Sequence, residues 1–210
     1  MLMFSEAKFR FAHSVFIDES FQLPEARKPE TYYLLCAVKL PKESTNFVRH
    51  RVLEISGKET WHSTDLLKTN SGRDLILEMC QLISQTCEPL VFVKQPISKS
   101  DRLGEQARAN LFRLLLQDPQ LNKNTQENSL VYEKRLPGIQ ANADLRVIQD
   151  AHRLGLIGSS TDIRPRYKSE EPLLWLADTV ASAYRQFHTA RNSEYWNILS
   201  KNAQTKWATD

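Results

Sequence analysis

Long apolar runs and closely spaced cysteines are missing from this chain of 210 residues. No apolar stretch approaches the roughly 20 residues that a membrane-spanning helix needs. Lys8 and Arg10 are followed by no apolar signal core, so we expect a cytoplasmic protein without a membrane partner. Cys36, Cys80 and Cys87 form no closely spaced pair, and their odd number argues against a disulfide scaffold.

A strong charge of one sign is also missing. The chain has 28 Lys and Arg against 25 Asp and Glu, and the net charge of +3 permits nucleic-acid binding without indicating it. A chain of this length with 41% hydrophobic residues can bury one sizeable core. No repeat, low-complexity tract or linker interrupts it. We therefore expect residues 1–210 to form a single domain, with a short C-terminal extension after about residue 190.

Alternating strand and helix patterns predict the fold. Runs of β-favouring residues near 13–18 and 31–38 predict an antiparallel hairpin. The uninterrupted apolar run near 90–95 predicts a strand covered on both faces, and shorter strands are predicted near 129–133 and 163–167. Helical spacing predicts helices near 45–56, 71–86, 101–117 and 142–154, and a last one opening at Pro172. Together these patterns predict an α/β fold, a mixed sheet with an antiparallel start and helices on both faces.

One acid interrupts the apolar face of the last predicted helix, in the run Leu173–Ala181. Helical spacing places Leu174, Trp175 and Ser182 beside Asp178, within the stripe that should be buried. An ionised carboxylate is costly there unless a cation or strong donors meet it. Asp178 is therefore predicted either to bind a positively charged ligand or to pair with an internal arginine or lysine.

Further acids end two predicted strands, Asp18 and Glu19 on the first and Glu133 on the strand near 129–133. Asp18, Glu133 and Asp178 together resemble a two-metal phosphodiester-cleaving site, where carboxylates hold two Mg²⁺ ions about 4 Å apart. Oxygen ligands suit Mg²⁺ or Mn²⁺, and the chain has no His/Cys cluster that would favour zinc. For Glu133, simple solvation at the end of a strand is the alternative.

Two short motifs resemble those of the bacterial and phage domain-of-unknown-function family 3800, whose fold is like that of ribonuclease H. They are Ile17-Asp18-Glu19-Ser20, which matches an opening strand that ends in Asp-Glu-Ser-Gly, and Leu176-Ala177-Asp178, which matches an Ala-Asp pair on a closing helix. The chain departs from the family pattern at Phe21, where the family has glycine. It departs again at Leu174-Trp175, where a glutamine often precedes the Ala-Asp pair.

Two weaker correspondences join these motifs. The segment Glu59–Asp65 resembles a Glu/His-bearing stretch of the family, and Glu133 matches a further strand acid. The resemblance implies a ribonuclease H-like fold and hydrolysis of nucleic acid with a divalent metal. It also implies Asp18, Glu133 and Asp178 as metal ligands.

Two auxiliary residues are predicted beside these ligands. His62 is a candidate proton shuttle or metal ligand, because Trp61 and Asp65 crowd the same short irregular segment; a structural or surface role is the alternative. Glu19 can join Asp18 only if the chain turns there, because neighbouring residues of a continuing strand point to opposite faces.

The sequence thus predicts a metal-dependent nuclease that uses Mg²⁺ or Mn²⁺ on DNA or RNA. Its predicted catalytic residues are Asp18, Glu19, His62, Glu133 and Asp178. Basic residues that flank the predicted site in sequence are expected to position the phosphate backbone: Arg164, Arg166, Lys168 and Arg185. The alternative is a non-catalytic nucleic-acid- or protein-binding module on the same fold. A role in phage defence or as a toxin is compatible with either.

Overall fold

A mixed six-stranded sheet with helices on both faces forms the framework of the protein. The computed structural model describes residues 12–24, 30–57, 60–122, 128–135, 137–158, 161–189 and 192–209. The strands are β1 (His13–Gln22), β2 (Tyr32–Pro41), β3 (Glu88–Lys94), β4 (Ser129–Glu133), β5 (Asp162–Arg166) and β6 (Gln204–Trp207). The α-helices are α1 (Thr45–Ser56), α2 (Ser63–Leu66), α3 (Asn70–Thr86), α4 (Glu105–Leu116), α5 (Pro119–Asn122), α6 (Ile139–Arg153), α7 (Leu174–Thr189) and α8 (Glu194–Leu199).

The sheet brings the ends of most strands to one edge. Its order is β5-β4-β1-β2-β3-β6. β2 is antiparallel to β1 and to β3, whereas β1 is parallel to β4, β4 to β5 and β3 to β6. The carboxyl ends of β1, β3, β4, β5 and β6 therefore lie at the same edge. The predicted hairpin of β1 and β2 and the predicted interior place of β3 are both confirmed.

Each face of the sheet carries its own apolar core. α1, α3, α7 and α8 cover one face, with fully buried Trp175 and Met79 among the packed side chains. α4 and α6 cover the other face, where Phe112 and Leu111 are buried. This arrangement matches the helices on both faces that the sequence predicts.

The alternation of side chains along β1 sends neighbouring residues to different cores. Phe16 packs in the core under α7, and Ile17 packs in the core under α4. Because β1 continues to Gln22, Asp18 shares the face of Phe16 and Glu19 shares the face of Ile17. The strand is longer than the predicted 13–18, since it stays paired with β2 up to Gln22.

The short helix α2 is held by a close approach to α3. The side chain of Thr69 accepts a hydrogen bond from the Gly72 backbone N–H and caps α3. A Cβ atom at Gly72 would lie 2.2 Å from the Leu66 carbonyl oxygen, so only glycine lets α3 begin against the end of α2. This contact fixes the position of Ser63 at the start of α2.

Several elements lie outside the sequence prediction: α2, α5, α8 and β6. β6 pairs with β3 and forms one edge of the sheet, so the residues after about 190 add a strand to the domain rather than only trail from it. β5 forms the opposite edge, as Pro165 leads one to expect. In the part of the chain that the structure describes, no helix has the length and apolarity needed to cross a membrane.

Candidate active site

Asp18 carries its carboxylate into the buried side of the sheet. The residue is 2% exposed, and its Oδ1 accepts a hydrogen bond of 2.8 Å from the Glu19 backbone N–H. Its Oδ2 lies 2.8 Å from Lys168 Nζ, but in an orientation that makes no hydrogen bond. Burial raises the pKa of Asp18 well above its ordinary value despite the Lys168 ammonium, and the Asp178 and Glu133 carboxylates raise it further. Asp18 is therefore a buried acid with an unsatisfied oxygen.

Asp178 faces the same space from α7, which packs against β1. Its Oδ2 accepts hydrogen bonds from the Ser63 backbone N–H, at 3.0 Å, and from the Ser63 hydroxyl. Its Oδ1 accepts one of 2.9 Å from Lys168 Nζ. Burial raises the pKa of Asp178, but Lys168 and Ser63 outweigh burial and hold the pKa below its ordinary value. Two acids of one site thus have pKa values displaced in opposite directions.

Glu133 completes the group from the end of β4. Ile17 and Tyr132 are partners in the parallel ladder of β1 and β4, so the next residues, Asp18 and Glu133, are neighbours on the same face. Glu133 Oε2 lies 3.3 Å from Lys168 Nζ. The structure therefore brings together the three predicted metal ligands, which come from two strands and one helix.

A lysine ammonium sits where the three carboxylates converge. Lys168 follows β5, its side chain is 15% exposed, and its Nζ contacts Asp18, Glu133 and Asp178. Burial lowers the pKa of Lys168, but the three carboxylates outweigh burial and raise it above its ordinary value. The pairing of Asp178 with an internal lysine, one of the two outcomes that the sequence left open, is what the structure contains.

The donors suit a hard divalent cation, although their spacing suits the ammonium. Three carboxylates that face one point are a ligand set for Mg²⁺ or Mn²⁺, and all three now meet the Lys168 ammonium. Bonds to Mg²⁺ are about 2.1 Å long, so the carboxylates must draw inwards to bind it. As they stand, no three His, Cys, Asp or Glu side chains of the described residues lie close enough to hold a metal.

A cleft of about 210 Å³ opens beside Lys168, lined by Thr60, Trp61, His62, Tyr167, Lys168, Ser169 and Trp175. The buried rings of Trp61 and Trp175 stack with centroids 6.2 Å apart. Trp61 Nε1 donates to Ser63 Oγ at 3.0 Å, and Trp175 Nε1 donates to the Lys168 carbonyl oxygen at 3.1 Å. The tryptophan pair therefore holds both residues that contact Asp178.

His62 is exposed on the wall of this cleft, immediately before Ser63. It shares the cleft with Lys168, but none of the three carboxylates lines that cleft, and His62 makes no hydrogen bond to them among the described residues. Glu59, from the same predicted segment, lies outside the described residues.

Glu19 is on the far side of the sheet from the other predicted site residues. It accepts a hydrogen bond of 2.6 Å from the Tyr33 hydroxyl and forms an ion pair with buried Arg108. Arg108 in turn makes two hydrogen bonds to the Asp144 carboxylate, at 2.8 and 3.0 Å. The structure therefore joins Glu19 to a buried ionic network, and does not bring it to Asp18, Glu133 and Asp178.

The basic residues predicted to position phosphates are divided among different places. Lys168 lies among the carboxylates, and Arg166 is exposed at the end of β5. Arg185 donates to Thr64 Oγ1 at 3.2 Å, beside α2. Arg164 pairs with Asp162 at 2.6 Å.

Sequence reasoning missed Ser63 as a partner of Asp178. Its role could have been inferred from its position directly after His62, in a crowded irregular segment where a serine can begin a helix and donate to an acid. Lys168 is predicted to contact phosphates because it flanks the proposed site in sequence, whereas the structure places its ammonium among the three carboxylates.

No protein-family model and no curated protein matches this chain. Among solved structures, ribonuclease H2 from Pyrococcus horikoshii OT3 is similar, with a TM-score of 0.50 and 8% identity over 85% of this chain and 74% of that one. A variant of Bst-RNase HIII gives a TM-score of 0.52 at 12% identity, over 90% of this chain and 56% of that one. The chain thus spans little more than half of Bst-RNase HIII. These similarities confirm the predicted ribonuclease H-like α/β fold, and at such identities they establish the fold alone.

Proposed function

We propose that this protein is a nuclease that hydrolyses phosphodiester bonds of DNA or RNA with Mg²⁺ or Mn²⁺. The proposal depends most on one observation: Asp18, Glu133 and Asp178 converge around a single cation, the Lys168 ammonium. Three carboxylates directed at one point are costly unless a cation is there to bind. The ribonuclease H-like fold supports the same class of chemistry by analogy.

The chain's own residues divide the work. Asp18, Glu133 and Asp178 would hold the metal, which would supply charge for the phosphate oxygens and activation of a water. Ser63 fixes Asp178, because it donates two hydrogen bonds to one carboxylate oxygen. His62 would transfer a proton, since its exposed ring lines the cleft that Lys168 shares.

Basic side chains at the same edge of the sheet bind the backbone of the nucleic acid. Arg166 is exposed at the end of β5, and Lys134, directly after Glu133, lies with Nζ 4.7 Å from the centre of the Tyr167 ring. Such contacts position phosphates without reading sequence. Glu19 has no part in this proposal because Arg108 neutralises it on the opposite face.

A non-catalytic nucleic-acid- or protein-binding module is the second candidate. The observation that favours it is the same Lys168 ammonium, which neutralises part of the carboxylate charge. If this ammonium never leaves, the carboxylates are a structural ion cluster and the protein binds without cleaving.

Cleavage assays separate the two candidates. The full chain is incubated with single- and double-stranded DNA and RNA in Mg²⁺, in Mn²⁺ or in chelator. We expect cleavage that needs metal and that Asp178→Asn abolishes, because the amide keeps the shape of the side chain and removes its charge.

Asp150→Asn is the matched control, since Asp150 lies on α6, over the opposite face of the sheet, and pairs with Arg153 at 2.9 Å. It should cleave as the natural protein does. Equal cleavage by Asp178→Asn would identify a contaminating nuclease. Absence of cleavage on every substrate would favour the binding module.

A further inference from the structure

The Lys168 ammonium occupies the position between the carboxylates that a divalent metal would need. The ammonium lies 2.8 Å from an Asp18 oxygen, 2.9 Å from an Asp178 oxygen and 3.3 Å from a Glu133 oxygen. A metal held by these carboxylates would bind at the centre of the same three side chains. Two cations that close repel each other strongly in a site of low dielectric, so the two occupants exclude one another.

We propose that Lys168 is a built-in competitor of the metal: its ammonium holds the three carboxylates together in the metal-free protein and leaves when the metal enters. This inference rests on the proposed function, because it takes Asp18, Glu133 and Asp178 as the metal ligands. Lys168 is a positioning residue in this role, since it acts through the carboxylates.

The metal-free protein needs such a cation. Carboxylates that share one site repel each other, and Asp18 is buried with one oxygen unsatisfied. Lys168 relieves that repulsion without any ligand from solution. A bound divalent metal offsets the repulsion between the carboxylates with two positive charges, so the Lys168 ammonium is no longer needed between them.

The displaced Lys168 side chain can occupy the cleft beside the three carboxylates. Lys168 is one of the residues that line this space of about 210 Å³. Its backbone is held, because the carbonyl oxygen accepts the Trp175 Nε1 hydrogen bond at 3.1 Å. Only the flexible four-carbon side chain has to turn for the ammonium to face the open cleft.

Competition lowers the apparent affinity for metal. When the binding-competent state is a fraction of the population, the apparent dissociation constant rises by the inverse of that fraction. If the ammonium is out of the cluster for about one molecule in ten, its removal should tighten metal binding about tenfold. Lys168→Met removes the charge and keeps most of the length of the side chain.

The test is calorimetric titration of the full chain with Mn²⁺, comparing the natural protein with Lys168→Met. Lys206→Met is the matched control, because Lys206 is also a partly buried lysine paired with a carboxylate, that of Asp118, but lies on β6 at the opposite edge of the sheet from β5. We expect tighter binding, by about tenfold or more, in Lys168→Met, and unchanged binding in Lys206→Met.

A second measurement uses the natural protein and so does not depend on how the variant folds. Reductive methylation of lysines, read by mass spectrometry, should spare Lys168 without metal and modify it when Mn²⁺ is present. Lys206, paired with Asp118 at the other edge of the sheet, should be modified equally in both conditions.

The outcomes separate this inference from the proposed function. Two results would contradict the proposed competition but not the nuclease proposal. One is equal or weaker Mn²⁺ binding by Lys168→Met, and the other is equal methylation of Lys168 with and without Mn²⁺. Binding only by Lys168→Met supports the competition and makes the natural protein a non-catalytic module. Absence of Mn²⁺ binding in both proteins overturns both proposals.

Discussion

Replacing Asp18 by asparagine should stabilise the metal-free protein at neutral pH. The amide keeps the shape of the side chain, and its oxygen can still accept the hydrogen bond of 2.8 Å from the Glu19 N–H. The substitution removes a negative charge from a side chain that is 2% exposed and has one oxygen without a hydrogen bond. Burial of that charge is what raises the pKa of Asp18.

The size of the effect follows from two opposing contributions. Burial and the neighbouring Asp178 and Glu133 carboxylates disfavour the charge on Asp18, and removing that charge recovers about 1–3 kcal/mol. The amide nitrogen that replaces Oδ2 can donate to the Glu133 carboxylate on the neighbouring strand. Against this gain, Lys168 loses one carboxylate partner but keeps Asp178 at 2.9 Å and Glu133 at 3.3 Å. We expect a net gain of about 1–2 kcal/mol in the free energy of unfolding. For a chain of this length that gain raises the Tm by about 2–8 °C.

The gain should depend on pH with a definite sign. Because the pKa of Asp18 is raised on folding, its protonation contributes stability that is fully present below its ordinary value of 3.8. That stability is lost as the pH rises through the raised pKa. Asparagine does not titrate, so the advantage of Asp18→Asn should be largest at neutral pH and disappear towards pH 4. Thermal unfolding in chelator across this range measures it.

Asp178→Asn is the matched control and should have the opposite sign. The pKa of Asp178 is lowered on folding, so its carboxylate contributes stability above its ordinary value of 3.8 that is lost as the pH falls through the lowered pKa. The amide cannot accept from both Ser63 and Lys168 as the charged group does, and we expect a loss of about 1–3 kcal/mol at neutral pH. Two shifts of the same sign at neutral pH would refute this account of the site's electrostatics.

Three further substitutions test other parts of the site. Arg108→Met should lower the free energy of unfolding in urea by about 3–5 kcal/mol, because the buried Asp144 carboxylate loses both hydrogen bonds from Arg108 and keeps only the longer contact of 3.6 Å with Arg135, and it should leave Mn²⁺ affinity unchanged; altered affinity would connect the two faces of the sheet. Ser63→Ala should cost about 1–2 kcal/mol and weaken Mn²⁺ binding in calorimetry, since Asp178 loses one donor; unchanged affinity would contradict the positioning role. His62→Ala should slow cleavage about 10²-fold without abolishing it and leave the Tm unchanged, because the ring is exposed; a full rate would remove His62 from the mechanism.

The fold could be predicted where periodic patterns were long. The apolar runs of β1, β2 and β3 and the helical spacing of α3 and α7 decide which faces are buried, and burial then decides the layers. β6 could not be predicted, because its four residues are mostly exposed and carry no apolar alternation. Pairing with β3 holds it in place, together with a hydrogen bond from Ala208 N–H to the Val93 carbonyl oxygen.

The three carboxylates could be predicted because each ends or interrupts an apolar element. Asp178 stands out on a buried helical stripe, and Asp18 and Glu133 follow apolar strand residues on one face. Lys168 could not be predicted, because it lies in an irregular connection without periodicity. Which lysine reaches a buried acid is decided by the packing of segments far apart in sequence, here the connection after β5 against Asp18 on β1.

Whether the three carboxylates bind a divalent metal is tested most directly by diffraction from crystals soaked in Mn²⁺, read in an anomalous difference map. We predict a peak in contact with Asp18, Glu133 and Asp178, with the Lys168 ammonium withdrawn into the cleft. A map without a peak at these carboxylates, with Lys168 still between them, would contradict the proposed metal site and with it the nuclease function.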